Sequence, residues 1–157
     1  MATPPSVAVI VDLWTSARRA IAVVERELDG RLTTALGIPF TTYAVLCTIA
    51  ELRGSGSGSE RGSAGGSELS QQHIALALGI DKSNVSRHVD AAVASGHVTT
   101  APSATSRRSK SVRLTPHGAS TLEAAETLVA EFAVDINLRD AAEATRFLTA
   151  MGDALEH

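Results

Sequence analysis

Cysteine is nearly absent from this 157-residue chain, with Cys47 the only one. An intrachain disulfide is thereby excluded, and the composition agrees with a reducing compartment. Aromatics are scarce too: one Trp, one Tyr and three Phe make up 3% of the residues, so the core that a 44% hydrophobic content can build must come from Ala, Val and Leu. No apolar run reaches membrane length. "VAVIVDLW" is broken by Asp12 and soon followed by Arg18 and Arg19, and no cationic leader precedes it. A cytoplasmic location with no membrane partner is the expectation.

Signatures of catalysis are missing as well. "GSGSGS" has the glycines of a phosphate loop but neither its lysine nor its strand context. His73, His88, His97, His117 and His157 are scattered without paired ligand spacing or a neighbouring cysteine, so the sequence offers no metal site. No nucleophile has a recognisable base. The chain is therefore expected to be neither an enzyme nor dependent on a cofactor.

An excess of positive charge is also lacking, since the formal net charge is −3. Its distribution reverses the inference against nucleic acid. Residues 81–113 hold Lys82, Arg87, Arg107, Arg108, Lys110 and Arg113 against Asp81 and Asp90, a net of +4, whereas residues 114–157 hold Arg139 and Arg146 against eight acids, a net of −6. A cationic head on an acidic body presents one face to phosphate and keeps the other away.

What the sequence does contain is concentrated in residues 69–118, which read in order as short helix, tight turn, second helix and cationic hairpin. Ser70 suits an N-cap, and the apolar positions Ile74, Leu76, Leu78 and Ile80 surround Gly79, a residue free to turn through positive φ. Asp81 suits the next N-cap. Behind it Val85, Val89, Ala92 and Val93 form an inward stripe, with Ser83, Ser86, Arg87 and Asp90 opposite. The first turns of this second helix offer Lys82, Ser83, Asn84, Ser86 and Arg87. Asn can bond adenine bidentately, and Arg or Lys can address guanine or a phosphate. Gly96 closes the helix, after which "HVTTA" and "SVRLT" alternate in character around "PSATSRRSK", as a hairpin would. A tip carrying Arg107, Arg108 and Lys110 suits a narrow minor groove.

These residues resemble the MarR family of bacterial transcriptional regulators. The resemblance rests on "LSQQHIALALGIDKSNVSRHVDAAVASGHV" and the following "SRRSKSVRLTPHG", and extends more weakly to "GIPFTTYAVLCTIAEL". It implies a homodimeric repressor or activator whose affinity for its DNA operator responds in many members to a small ligand or to thiol oxidation. Three departures stand out. Ser106 takes the place of the acidic residue that in the family steadies one wing arginine. His88 takes an aliphatic position on the recognition helix and reads as a partly buried packing residue. The third is "RGSGSGSERGSAGGSE", a Gly/Ser tract with linker composition where the family has a short turn; its added closure entropy is only about 1 kcal/mol.

Helical stripes flank the head. Val7, Ile10, Val11, Trp14, Ile21, Val24, Leu28 and Leu32 keep helical spacing for about seven turns, and so long a helix needs a partner. Thr115 and Pro116 open another helix by N-cap and N1 chemistry, with Leu122, Leu128, Val129, Phe132 and Ile136 on its apolar side. Asp140 and Glu143 suggest a capping box before a last helix through Phe147, Leu148, Met151 and Leu155. The expected fold is mainly α with a small β-hairpin wing: a winged helix-turn-helix plus dimerisation helices at both ends. Residues 1–38 form the N-terminal dimerisation helix, 39–118 the DNA-binding region with a flexible insertion at 54–68, and 119–157 the C-terminal dimerisation helices.

The expected function is sequence-specific regulation of transcription by a homodimer on double-stranded DNA, a repressor of a palindromic operator with a small-molecule effector as its release signal. Lys82, Ser83, Asn84, Ser86, Arg87, Arg107, Arg108 and Lys110 carry the DNA contacts. Two other readings stand beside it: a winged-helix protein-interaction module, which would present apolar anchors in place of these polar side chains, and an architectural binder indifferent to sequence. Cys47, among apolar neighbours and far from any basic residue in sequence, reads as a small buried hydrophobe. Trp14 and Tyr43 read as core.

Overall fold

Apolar residues at helical spacing, punctuated by glycine, give this chain five helices and one hairpin among the residues described by the computed structural model, which are 7–55, 68–103, 110–135 and 146. Helix α1 spans Val7–Leu36 and α2 spans Phe40–Ser55. The short α3, Gln71–Leu78, is followed by α4, Lys82–Ala94. Strands β1, Val98–Pro102, and β2, Lys110–Leu114, pair antiparallel, and α5 spans Pro116–Asp135. This is the winged helix-turn-helix expected, mainly helical with a small hairpin wing.

Local chemistry sets the turns. Ser70 caps α3 through a capping box: its Oγ accepts the His73 N–H, and its own N–H donates to His73 Nδ1 at 3.2 Å. Gly79 ends α3 at φ 63°, with the Ile80 N–H reaching back to the Ala75 carbonyl at 3.2 Å. Gly96 does the same for α4 at φ 76°, where the His97 N–H bonds the Ala92 carbonyl at 2.9 Å and the Gly96 N–H bonds that of Val93 at 3.0 Å. Both glycine turns thus satisfy carbonyls that a helix end would otherwise leave without donors.

Two apolar clusters hold the elements together. In the head, Val45, Leu46 and Ile49 of α2 meet Ile74, Val85, Val89, Val98, Val112 and Leu122. A smaller cluster joins Leu28 and Leu32 of α1 to Ile38 and to Ala125 and Phe132 of α5. Tyr43 packs against both, so α2 lies between head and flank. The Val112 N–H donates to the Leu69 carbonyl at 2.8 Å and Ser70 bridges Ser111, which fastens the wing to the entry of α3.

Several positions add to the sequence reading or depart from it. Leu76 is 74% exposed and Ile80 38%, whereas Ile74 and Ala75 are buried. Residues two apart lie about 200° around a helix, so Leu76 cannot share a face with Ile74. Val93 is 38% exposed because it sits about 80° from Val85, at the edge of the stripe. Trp14 lies outside the protomer core at 61% exposure, with the Arg18 guanidinium 5.2 Å from its ring centroid. Each strand is displaced by one residue: β1 starts at Val98 and includes Pro102, which pairs with Lys110, and β2 ends at Leu114. The proposed last helix and the 54–68 insertion fall largely outside the described residues; Arg146 is helical and exposed, and α2 continues through Ser55.

Candidate nucleic-acid interface

Helix α4 is seated by Val85, Val89 and Ala92, all fully buried, and this fixes which way its remaining side chains face. Lys82, Ser83 and Arg87 are exposed, and Asn84 and Ser86 are half-buried at the margin of the same face. The Arg87 guanidinium donates to Asn84 Oδ1. That bond draws the two side chains together and leaves the Asn84 amide nitrogen and the other guanidinium donors for a ligand. Asp81 occupies the N-cap in extended conformation, but its carboxylate makes no capping bond; instead its backbone carbonyl takes the Asn84 N–H at 2.9 Å and the Val85 N–H at 3.1 Å.

Lys110, exposed at the start of β2, joins this face across a polar cleft of about 250 Å³ lined by Ser70, Gln71, Gln72, Lys82, Ser86, Asp90 and Lys110. The cleft unites the first turn of α3, the outer face of α4 and the base of the wing. Gln71 and Gln72 were not singled out by the sequence reading. Their signal was available: a polar pair immediately after a capping serine lies in the first turn of the helix, where an HTH protein crosses a nucleic-acid backbone. Arg107 and Arg108, predicted at the wing tip, lie outside the described residues.

His88 is half-buried, as expected of a packing residue. It lines a second cleft, of about 380 Å³, with Glu25 of α1, Phe40, Thr41 and Ala44 of α2, and Leu78 and Ile80 at the helix-turn-helix turn. Trp14 and Tyr43 do not line it. Cys47 is half-buried, and its thiol is raised above the ordinary value first by burial and then by the carboxylate of Glu51, whose Oε1 lies 3.5 Å from Sγ. The neighbouring Tyr43 hydroxyl is pushed up to about 12, mainly by burial and next by Cys47. Burial and Glu51 outweigh the hydrogen bond from Tyr43, which acts in the opposite sense, and keep the thiol protonated, the less reactive form. Among the described residues no group of three or more His, Cys, Asp or Glu converges on a metal-binding geometry, and no single helix is long and apolar enough to cross a membrane.

Residues 60–109 match the model of the MarR family. No curated relative matches by sequence. The structure is similar to the transcriptional regulator BldR from Sulfolobus solfataricus, with a TM-score of 0.70 at 18% identity over 94% of this chain and 99% of that one. It is also similar to AbsC, a MarR family transcriptional regulator from Streptomyces coelicolor, with a TM-score of 0.69 at 19% identity over 98% and 99% of the two chains. A cysteine-to-serine mutant of MarR from E. coli, solved in complex with operator DNA, aligns with a TM-score of 0.61 at 22% identity over 80% of this chain and 79% of that one. Over residues 60–109 the chain is thus similar to the MarR family, and its winged helix-turn-helix fold is similar to that of these regulators.

Proposed function

We propose that the protein is a DNA-binding transcriptional regulator that acts as a homodimer on a palindromic operator, in the manner of a repressor. The observation that carries this reading is the outer face of α4, where Lys82, Ser83 and Arg87 are exposed beside Asn84 and Ser86, on the side to which Lys110 brings the wing. Polar side chains of these types on a helix seated by its opposite face can read base edges in a major groove. Arg107 and Arg108 then reach the flanking minor groove. An interaction module would present apolar anchors there instead.

Dimerisation rests on α1. Val7, Val11, Trp14 and Ile21 are each more than half exposed in the single chain, a row of apolar side chains that a second copy would cover. In this reading residues 1–38 and 119–157 form the dimer and 39–118 the reading head. Two-fold symmetry sets the recognition helices about one turn of DNA apart, roughly 34 Å, and anything that alters this distance alters affinity. The cleft at His88 touches α1, α2 and the helix-turn-helix turn together. A small molecule lodged there would act on that distance, which supports an effector-released repressor.

Selection of bound sequences from a random duplex pool, followed by titration of the winner at two salt concentrations, tests the proposal. Recovery of an inverted repeat bound by a dimer is the expected result, and no enrichment by a folded dimer would refute sequence-specific regulation. Arg87→Ala or Asn84→Ala is expected to cost about 1–3 kcal/mol on the selected site and to relax one operator position. Lys110→Ala is expected to weaken selected and random DNA alike. Equal losses on both kinds of DNA for all three variants would overturn the assignment of reader and wing.

A further inference from the structure

The turn between α4 and β1 is locked to the start of α5 by an arrangement that the reading of DNA does not use. His97 is 6% exposed, and its Nδ1 lies 2.7 Å from Ser95 Oγ at the end of α4. Its ring stacks on that of His117, with centroids 4.6 Å apart and planes inclined by 23°. The backbone is tied across the same gap. The Thr115 N–H donates to the His97 carbonyl at 3.0 Å, and Thr115 Oγ1 donates to the Gly96 carbonyl at 2.7 Å while accepting the Gly118 N–H at 2.9 Å. The last turn of the recognition helix, the root of the wing and the first turn of α5 therefore meet at one point.

We propose that the His97–His117 stack is an acid-sensitive joint that positions the recognition helix and wing on α5, and that a proton on the His97 ring loosens it. The groups facing His97 are Ser95 and Ala92 from α4, Thr115 from the turn, and His117 and Gly118 from α5. Of these only His117 can change charge. Burial, and then the neighbouring His117, hold His97 below the ordinary histidine value, and no carboxylate or ammonium among the described residues offsets them. The sign follows from linkage. A histidine whose folded-state value lies below its unfolded value of about 6.5 favours the closed joint above that pH, and the preference is lost as pH falls from there through the folded value. His97 and His117 are thus positioning residues, since neither lies on the outer face of α4.

The consequence for DNA rests on the proposed function, so the test has one arm without DNA. Imidazole and backbone NMR of the full chain are followed from about pH 7.5 to about pH 5.5, together with thermal unfolding. The expected result is a common midpoint for His97 and for the backbone amides of Ser95, Gly96, Thr115 and Gly118. In His117→Phe, which keeps a stacked ring at an exposed position, the midpoint of His97 moves up toward the ordinary histidine value. In His97→Asn, which can keep the bond to Ser95, the coupled amide shifts disappear. Unmoved amides at these four positions while His97 titrates would overturn the joint, whatever the protein binds.

The second arm measures affinity for the selected operator over the same range. Wild type is expected to lose affinity on acidification, because the joint that favours neutral His97 is loosened by the proton. His97→Asn is expected to abolish that slope, and His117→Phe to lessen it, since burial of His97 remains. A slope unchanged in His97→Asn would overturn the link to DNA reading. Should His97→Asn fail to fold, His97→Gln takes its place in both arms.

Discussion

Gly118 is where the joint can be broken by a single methyl group. An ideal Cβ built there would stand 1.9 Å from the His97 carbonyl oxygen and 2.8 Å from its carbon. Both are backbone atoms, so no side-chain rotation relieves the overlap. Against this, Gly118 lies in the first turn of α5, where Ala gains up to about 1 kcal/mol of helix propensity. Overpacking a dense site costs about 1–3 kcal/mol. Separating the chains enough to fit the methyl also strains the Thr115 bonds, each of them worth about 0.5–1.5 kcal/mol. The clash wins. Gly118→Ala is expected to destabilise by about 2–4 kcal/mol, which for a chain of this size lowers Tm by on the order of 10 °C. Gly30→Ala is the control: the glycine is inside α1 and its added methyl meets nothing within 4 Å, so a gain of about 1 kcal/mol is expected. Thermal unfolding of the three proteins at one concentration, which holds any association constant, decides the matter. A Gly118→Ala protein as stable as wild type would refute the reasoning about close approach.

Two further predictions concern single side chains. Ser70→Ala removes the oxygen that accepts the His73 N–H and breaks the reciprocal capping box, so denaturant unfolding should report a loss of about 1 kcal/mol; no change would mean that the cap carries no net stability. Cys47, raised by burial and by Glu51, should react with iodoacetamide at neutral pH more slowly than a free cysteine. Reaction faster than the free amino acid would reverse the inference that the site lacks an activated thiol.

The head was legible in the sequence because its local signals are independent and agree. Ser70, Gly79, Gly96 and the Thr115–Pro116 pair each specify a helix end through their own chemistry, and each does so in the structure. The stripe of α4 was readable for the same reason, since Val85, Val89 and Ala92 repeat at helical spacing over about two turns. Legibility failed where a pattern was short. Over eight residues of α3, apolar residues at every second position lie on opposite sides of a helix, so the pattern does not say which of Ile74 and Leu76 is buried. It failed again for contacts between distant segments. Nothing in "SGHV" and "LTPHG" taken separately says that His97 and His117 stack, or that Gly118 must be small; both follow only from the antiparallel register that brings Val98 opposite Leu114.

The same distinction between local and summed properties bears on the charge of the chain. A formal net charge of −3 describes the chain from afar, but at physiological salt the Debye length is about 8 Å. A phosphate approaching the outer face of α4 therefore responds to the groups lining the cleft at its side, which are Lys82 and Lys110 together with a single acid, Asp90. That acid need not oppose binding. A carboxylate in the same cleft as two ammonium groups repels a phosphate placed off register, and it can accept a hydrogen bond from the amino group of cytosine. Under the proposed reading the two lysines supply attraction that is largely indifferent to sequence, while Asp90, Asn84 and Arg87 restrict which register and which bases can exploit it. A head built in this way discriminates partly by what it repels, so an acidic chain remains compatible with specific DNA binding.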